Sequence, residues 1–152
     1  MKKIGFYLSA LVAIAGCGNA KNLSTTSLQH GSGSCLELKI NGFPDNTLGF
    51  LIFSDIKFIT NSGEELTPMT HWAWGGKARP SFQVYLLNSK LPKNENKIII
   101  SGSIRYLAMA ANIKAEALKN CHGYWEIKKF MVYDTDGNLI TNIDDPSKGS
   151  TR

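Results

Sequence analysis

Apolar residues recur at every second position over most of this chain, a period that a strand satisfies and a helix does not. Leu36, Leu38 and Ile40 alternate with Glu37 and Lys39, and Phe82, Val84 and Leu86 alternate with Gln83 and Tyr85. From Leu48 to Thr60 the even positions Leu48, Phe50, Ile52, Ile56 and Phe58 keep one face apolar, broken by Ser54, while Asp55 and Lys57 wet the other. Ile98, Ile100, Ile104 and Tyr106 do the same against Ser101, Ser103 and Arg105, and Tyr124 to Tyr133 reads as a further strong strand. Turn formers punctuate the runs: Asn41-Gly42, Pro44-Asp45-Asn46, Asn61-Ser62-Gly63, the polar loop 88–96 around Pro92, Asn120-Cys121-His122-Gly123 and Asp134-Thr135-Asp136-Gly137. Short strands with one apolar face must bury that face against a second sheet. The expected fold is therefore mainly β, a two-layer antiparallel β-sandwich of immunoglobulin-like or transthyretin-like type.

Residues 107–119 obey two periods at once. Tyr106, Met109, Ala110, Ile113 and Ala117 share a helical stripe and the alanines favour helix, whereas Ala111, Ile113, Ala115 and Ala117 also alternate with Asn112, Lys114 and Glu116. A short helix stays open here. Strand is preferred, because it would pair through Asn120-Cys121-His122-Gly123 with the strand from Tyr124 to Tyr133. Gly102, inside a strand, marks a bulge or a close backbone approach. Residues 56–63 and 130–137 are similar to each other, each an apolar strand running into an Asx-rich turn closed by Gly, and they read as two like hairpins.

The N-terminus has a different character. Lys2 and Lys3 precede an apolar run from Ile4 to Ala15, the arrangement of a signal peptide and too short to span a bilayer. The run closes on Ile14-Ala15-Gly16-Cys17, which resembles the lipobox of bacterial lipoproteins: an aliphatic residue, two small residues and a cysteine. The resemblance covers the export segment alone. It implies removal of residues 1–16 and a lipid on Cys17, hence attachment to the envelope membrane. Gly18 in place of Asp after the cysteine favours the outer membrane, facing the periplasm. Ordinary cleavage after Gly18-Asn19-Ala20 is the competing reading and would leave a soluble exported protein.

With Cys17 assigned to lipid, the three cysteines of the chain leave Cys35 and Cys121, one pair in an oxidising compartment, and a disulfide between them is expected. Alternation turns Cys35 away from Leu36, so such a bridge would lie at a strand end or on an outer face. The expected organisation is signal peptide 1–16, lipidated N-terminus and flexible tether 17–34, β-sandwich 35–143 and a frayed tail 144–152. The loss of Lys2 and Lys3 lowers the net charge of +5 to +3. That mild excess, without a dense basic run, fits an anionic envelope surface and speaks against nucleic acid.

Residues with chemistry are sparse. The sequence holds no phosphate-binding glycine loop, no metal-binding histidine or cysteine spacing and no nucleophile elbow, so no catalytic residue, cofactor or metal is assigned. Asp134, Asp136, Asn138, Asn142 and Asp145 have the alternating oxygens of a calcium loop, but Leu139 stands where such a loop needs glycine and a hairpin turn explains them equally well. The strongest candidate for binding is the proline-bounded, irregular stretch from Pro68 to Pro80. It carries His71, Trp72, Trp74, Lys77 and Arg79, flat aromatic faces beside positive donors. The bland alternative is that Trp72 and Trp74 cap an open end of the sandwich; Trp125 is read as core or sheet-face packing. The functional expectation is a membrane-anchored, non-catalytic module that binds an envelope protein, as an accessory subunit of an assembly or an inhibitor or immunity protein. A glycan- or peptidoglycan-binding module using the Trp72 and Trp74 loop is the alternative.

Overall fold

A computed structural model of the chain describes residues 20–26, 35–43, 52–73, 81–106, 109–144 and 146. Their strands, in chain order, are β1 (Ser24–Thr26), β2 (Cys35–Asn41), β3 (Ile52–Ser54), β4 (Lys57–Ile59), β5 (Glu65–Leu66), β6 (Met69–Ala73), β7 (Ser81–Leu87), β8 (Lys97–Tyr106), β9 (Met109–Lys119), β10 (Trp125–Tyr133) and β11 (Leu139–Asp144). The first sheet has the order β1-β2-β7-β6 and the second β11-β10-β9-β8-β4-β5, with β3 also pairing β8. All pairs are antiparallel.

This is a β-sandwich, and its strand order is the immunoglobulin one. With β1 as A, β2 as B, β3 and β4 together as C, β5 as C′, and β6 to β9 as D to G, one sheet reads A-B-E-D and the other C′-C-F-G. The hairpin β10–β11 then widens the second sheet beyond G. The likeness is one of order alone, since β8 holds no cysteine and β4 no tryptophan.

The core follows the alternation. Leu36, Leu38, Ile40, Phe82, Val84 and Leu86 of the first sheet face Phe58, Ile98, Ile100, Ile104, Ile113, Ile127, Phe130 and Val132 of the second, all buried. The alanine-rich stretch is strand β9. In register Ala115 lies between Ile100 and Phe130, and Ala117 between Ile98 and Ile127, so the small residues accept bulky neighbours on both sides. Pairing along both edges outweighs the helix preference of alanine, which is a fraction of a kcal/mol per residue.

The two similar hairpins have a third companion. In the turns 60–64, 120–124 and 134–138 the first residue's N–H donates to the carbonyl four residues on, and the glycine's N–H donates back to the first residue's carbonyl. Thr60 Oγ1, Asn120 Oδ1 and Asp134 Oδ1 each accept the backbone N–H four residues ahead. Gly63, Gly123 and Gly137 sit at φ of 85°, 82° and 88°, where side-chain-bearing residues are disfavoured. One turn chemistry, used three times, accounts for the internal similarity.

Three expectations need correction. Residues 20–26, read from composition as tether, are built into the fold: Ala20 and Leu23 are buried and β1 pairs with β2. Part of the stretch 68–80, read as irregular, is the edge strand β6, paired along β7. The disulfide between Cys35 and Cys121 is not formed. Cys35 stands on the outer face of the first sheet and Cys121 is exposed in the β9–β10 turn of the second. Packed sheets lie about 10 Å apart, whereas a disulfide needs Cα atoms within about 7 Å.

Candidate functional site

Of the predicted binding residues, the structure places two on β6. His71 is exposed, opposite Gln83 on the outward register of the first sheet, and Trp72 pairs with Phe82 along the same strand. Trp74, Lys77 and Arg79 lie outside the described residues, as does Cys17. His122 is exposed in the β9–β10 turn of the second sheet, so the fold gives it and His71 to different sheets.

What β6 adds is an apolar row that its neighbours complete. Met69, 53 % exposed, is registered directly across from Tyr85, and Leu87, 42 % exposed, lies two residues further along β7 and pairs with Cys35. All four are on the outer face. Among the described strands β6 ends its sheet, so its far edge leaves backbone N–H and C=O groups without a strand partner. Sequence reading missed Met69 and Leu87 because each is isolated in its own segment. The available signal was Leu87 at an odd position after Phe82, Val84 and Leu86, an apolar residue on the polar face.

The remaining candidates resolve into structure. Asp134 Oδ1 accepts the N–H groups of Asp136 and Asn138, and its Oδ2 accepts Asn138 Nδ2–H, so the carboxylate closes a turn. The Asn138 amide and N–H hold its pKa below the usual value. Trp125 packs against the core as expected, with Lys119 Nζ 4.9 Å from its ring centroid, and its buried indole N–H has no hydrogen-bond partner among the described residues.

Asp55 is a second carboxylate with a defined role. Between β3 and β4 the ladder to β8 lapses, and Ser103 gives both its N–H and its hydroxyl to Asp55 Oδ1, each at 2.6 Å. The Ser103 hydroxyl first, then its N–H, pull the Asp55 pKa below the usual carboxylate value. A depressed folded-state pKa means the stabilisation is present above the unfolded value near 3.9 and is lost as pH falls through the folded value. Asp55→Asn is thus expected to lower the urea midpoint at pH 7, with the gap to the parent closing as the pH falls below the ordinary carboxylate value. A gap that stays constant over that range would show that ionisation of Asp55 contributes nothing.

Compared with protein-family models, with curated proteins and with solved structures, the chain matches none.

Proposed function

We propose that the protein is a lipid-anchored envelope component that acts without catalysis by binding a protein partner through the outer face and open edge of the first sheet. The observation that carries this reading is the row Met69, Tyr85 and Leu87 beside a strand edge with no partner among the described strands. An edge offers main-chain hydrogen bonds to an added strand, and an apolar row beside it supplies side-chain contacts that give specificity. The lipobox-like Ile14-Ala15-Gly16-Cys17 supports the location. A diacylglyceryl cysteine with a further acyl chain buries enough methylenes, at about 0.8 kcal/mol each, to hold the protein on a bilayer firmly.

Two measurements test it. Cys17→Ser is expected to move the protein from the detergent phase to the aqueous phase on partitioning; a variant that stays with detergent rules out the anchor. A photo-crosslinking residue at position 69 or 87 of the full chain, in intact envelopes, is expected to give one discrete adduct with an envelope protein. The same residue at position 136, exposed in the β10–β11 turn, serves as the control. No adduct from 69 and 87, or the same adduct from 136, overturns the docking surface.

A further inference from the structure

The outer face of the second sheet carries an open groove of about 300 Å³ of mixed polar and apolar lining, with Asp55, Ser101, Ser103, Asn112, Lys114 and Tyr133 around Gly102 and Ile113. Its origin is the lapse between β3 and β4. Gly102 stands at the inward register of β8, opposite Ile113, and a Cβ there would lie 2.6 Å from Ile56 Cα and 2.8 Å from Asp55 O. The backbone of the link therefore runs close beneath Gly102, on the core side. On the outer side two registered rows, Ser103-Asn112-Tyr133 and Ser101-Lys114-Met131, converge on the depression.

The polar groups there are committed on one side and open on the other. Asn112 Nδ2 donates to Asp134 O, which leaves its Oδ1 as an acceptor. Asp55 takes both Ser103 donors on Oδ1, and no other residue's side chain is hydrogen-bonded to its Oδ2 among the described residues. Lys114 is exposed, while the neighbouring lysines Lys57, Lys97, Lys128 and Lys129 are engaged by Glu65, Glu116, Glu126 and Asp144. Tyr133 directs its hydroxyl to Met131 Sδ, 3.3 Å away.

The groove thus combines carboxylate and amide acceptors, an ammonium donor, two serine hydroxyls and an aromatic ring. A phosphate would use the donor and meet the Asp55 carboxylate; a cation would use the acceptors and meet Lys114. A group that donates and accepts from adjacent atoms and has an apolar C–H face satisfies all of them. From this arrangement we infer that the groove is a binding site for a neutral sugar ring, separate from the first-sheet surface beside β6. Vicinal hydroxyls donate to Asp55 and Asn112 and accept from Lys114 and Ser101, while the C–H face lies against Tyr133. The volume stands at the small end of ligand pockets and the site is open, which fits a mono- or disaccharide held at about millimolar affinity.

The test is an amide chemical-shift titration of the isotope-labelled full chain with glucose, galactose and N-acetylglucosamine, and separately with inorganic phosphate. At least one sugar is expected to shift Ser101, Gly102, Ser103, Asn112, Lys114 and Tyr133 as a group, with a dissociation constant of about 1 mM. Ser101→Phe, which fills the groove from the outer face, and Lys114→Ala are each expected to weaken that sugar about tenfold or more without altering the rest of the spectrum. Three outcomes overturn the site: no grouped shift with any sugar well above that concentration, phosphate acting as well as the sugars, or sugar-induced shifts centred on Thr70 to Ala73. None of these depends on whether position 69 or 87 captures a protein.

Discussion

Gly42→Ala is expected to strip the segment 20–26 from the sandwich and to lower stability by about 3 kcal/mol or more. Gly42 has φ of +89°, a left-handed conformation that costs a side-chain-bearing residue roughly 1–2 kcal/mol. Space adds a second penalty. A Cβ at this position would fall 1.7 Å from Asn22 O and 2.6 Å from Asn22 C, both backbone atoms, so the turn over Gly42 must leave. With it go the Leu23 N–H to Ala20 O bond, the three-residue pairing of β1 with β2 and the burial of Leu23, a side chain worth about 1.5–3 kcal/mol. In a domain of this size the thermal midpoint should fall by about 10–20 °C. Hydrogen exchange should reach the global unfolding limit last at β8 and β9 and become fast at Ser24 to Thr26. An unchanged midpoint with protected amides at 24–26 would mean that the turn is not packed over Gly42.

Gly102→Ala is expected to cost about 2–3 kcal/mol for a different reason. The backbone of Gly102 has no need of glycine's conformations; what it lacks is room. The added methyl would meet Ile56 Cα at 2.6 Å, Asp55 O at 2.8 Å and Ile56 N at 2.9 Å, main-chain atoms that cannot swing aside as the end of a flexible side chain does. Accommodation must push the β3–β4 link away from β8, and Asp55 then loses the two Ser103 donors. The substitutions Gly102→Ala and Asp55→Asn are therefore expected to be non-additive: the double variant should be about as stable as Gly102→Ala alone at pH 7, read by urea unfolding in a double-mutant cycle. Strict additivity would separate the close approach from the carboxylate.

Much of this architecture is legible in the residues because burial imposes its period on them. Leu36 to Ile40, Phe82 to Leu86 and Ile98 to Ile104 each bury one register, and the glycines at 63, 123 and 137 mark where the chain must reverse. Legibility fails where a strand owes its existence to a distant partner. β1 has only Thr25 on its buried register, and that hydroxyl donates to Lys39 O, so its stability comes from β2 and not from its own composition. β6 is hidden in the same way, as an edge strand with polar Thr70 and His71, trailed by a Gly-Gly pair that reads as loop. The second-sheet groove is harder still. Ser101, Ser103, Asn112 and Lys114 each read as the solvated side of a strand, and only the β8–β9 register sets them side by side. The one local trace is Gly102, legible as a close approach but silent about what approaches.

The burial of Ala20 changes what a lipid on Cys17 would do. Only Gly18 and Asn19 would then separate the acylated residue from a side chain locked into the core, a reach of about 11 Å at full extension. Residues 27–34 join β1 to β2 and lend nothing to that reach. A domain so anchored would not sweep a hemisphere above the bilayer; it would be moored flush, its tilt restricted and its searching confined to lateral drift. Encounters would then become two-dimensional, and a partner would have to share the membrane or extend down to it.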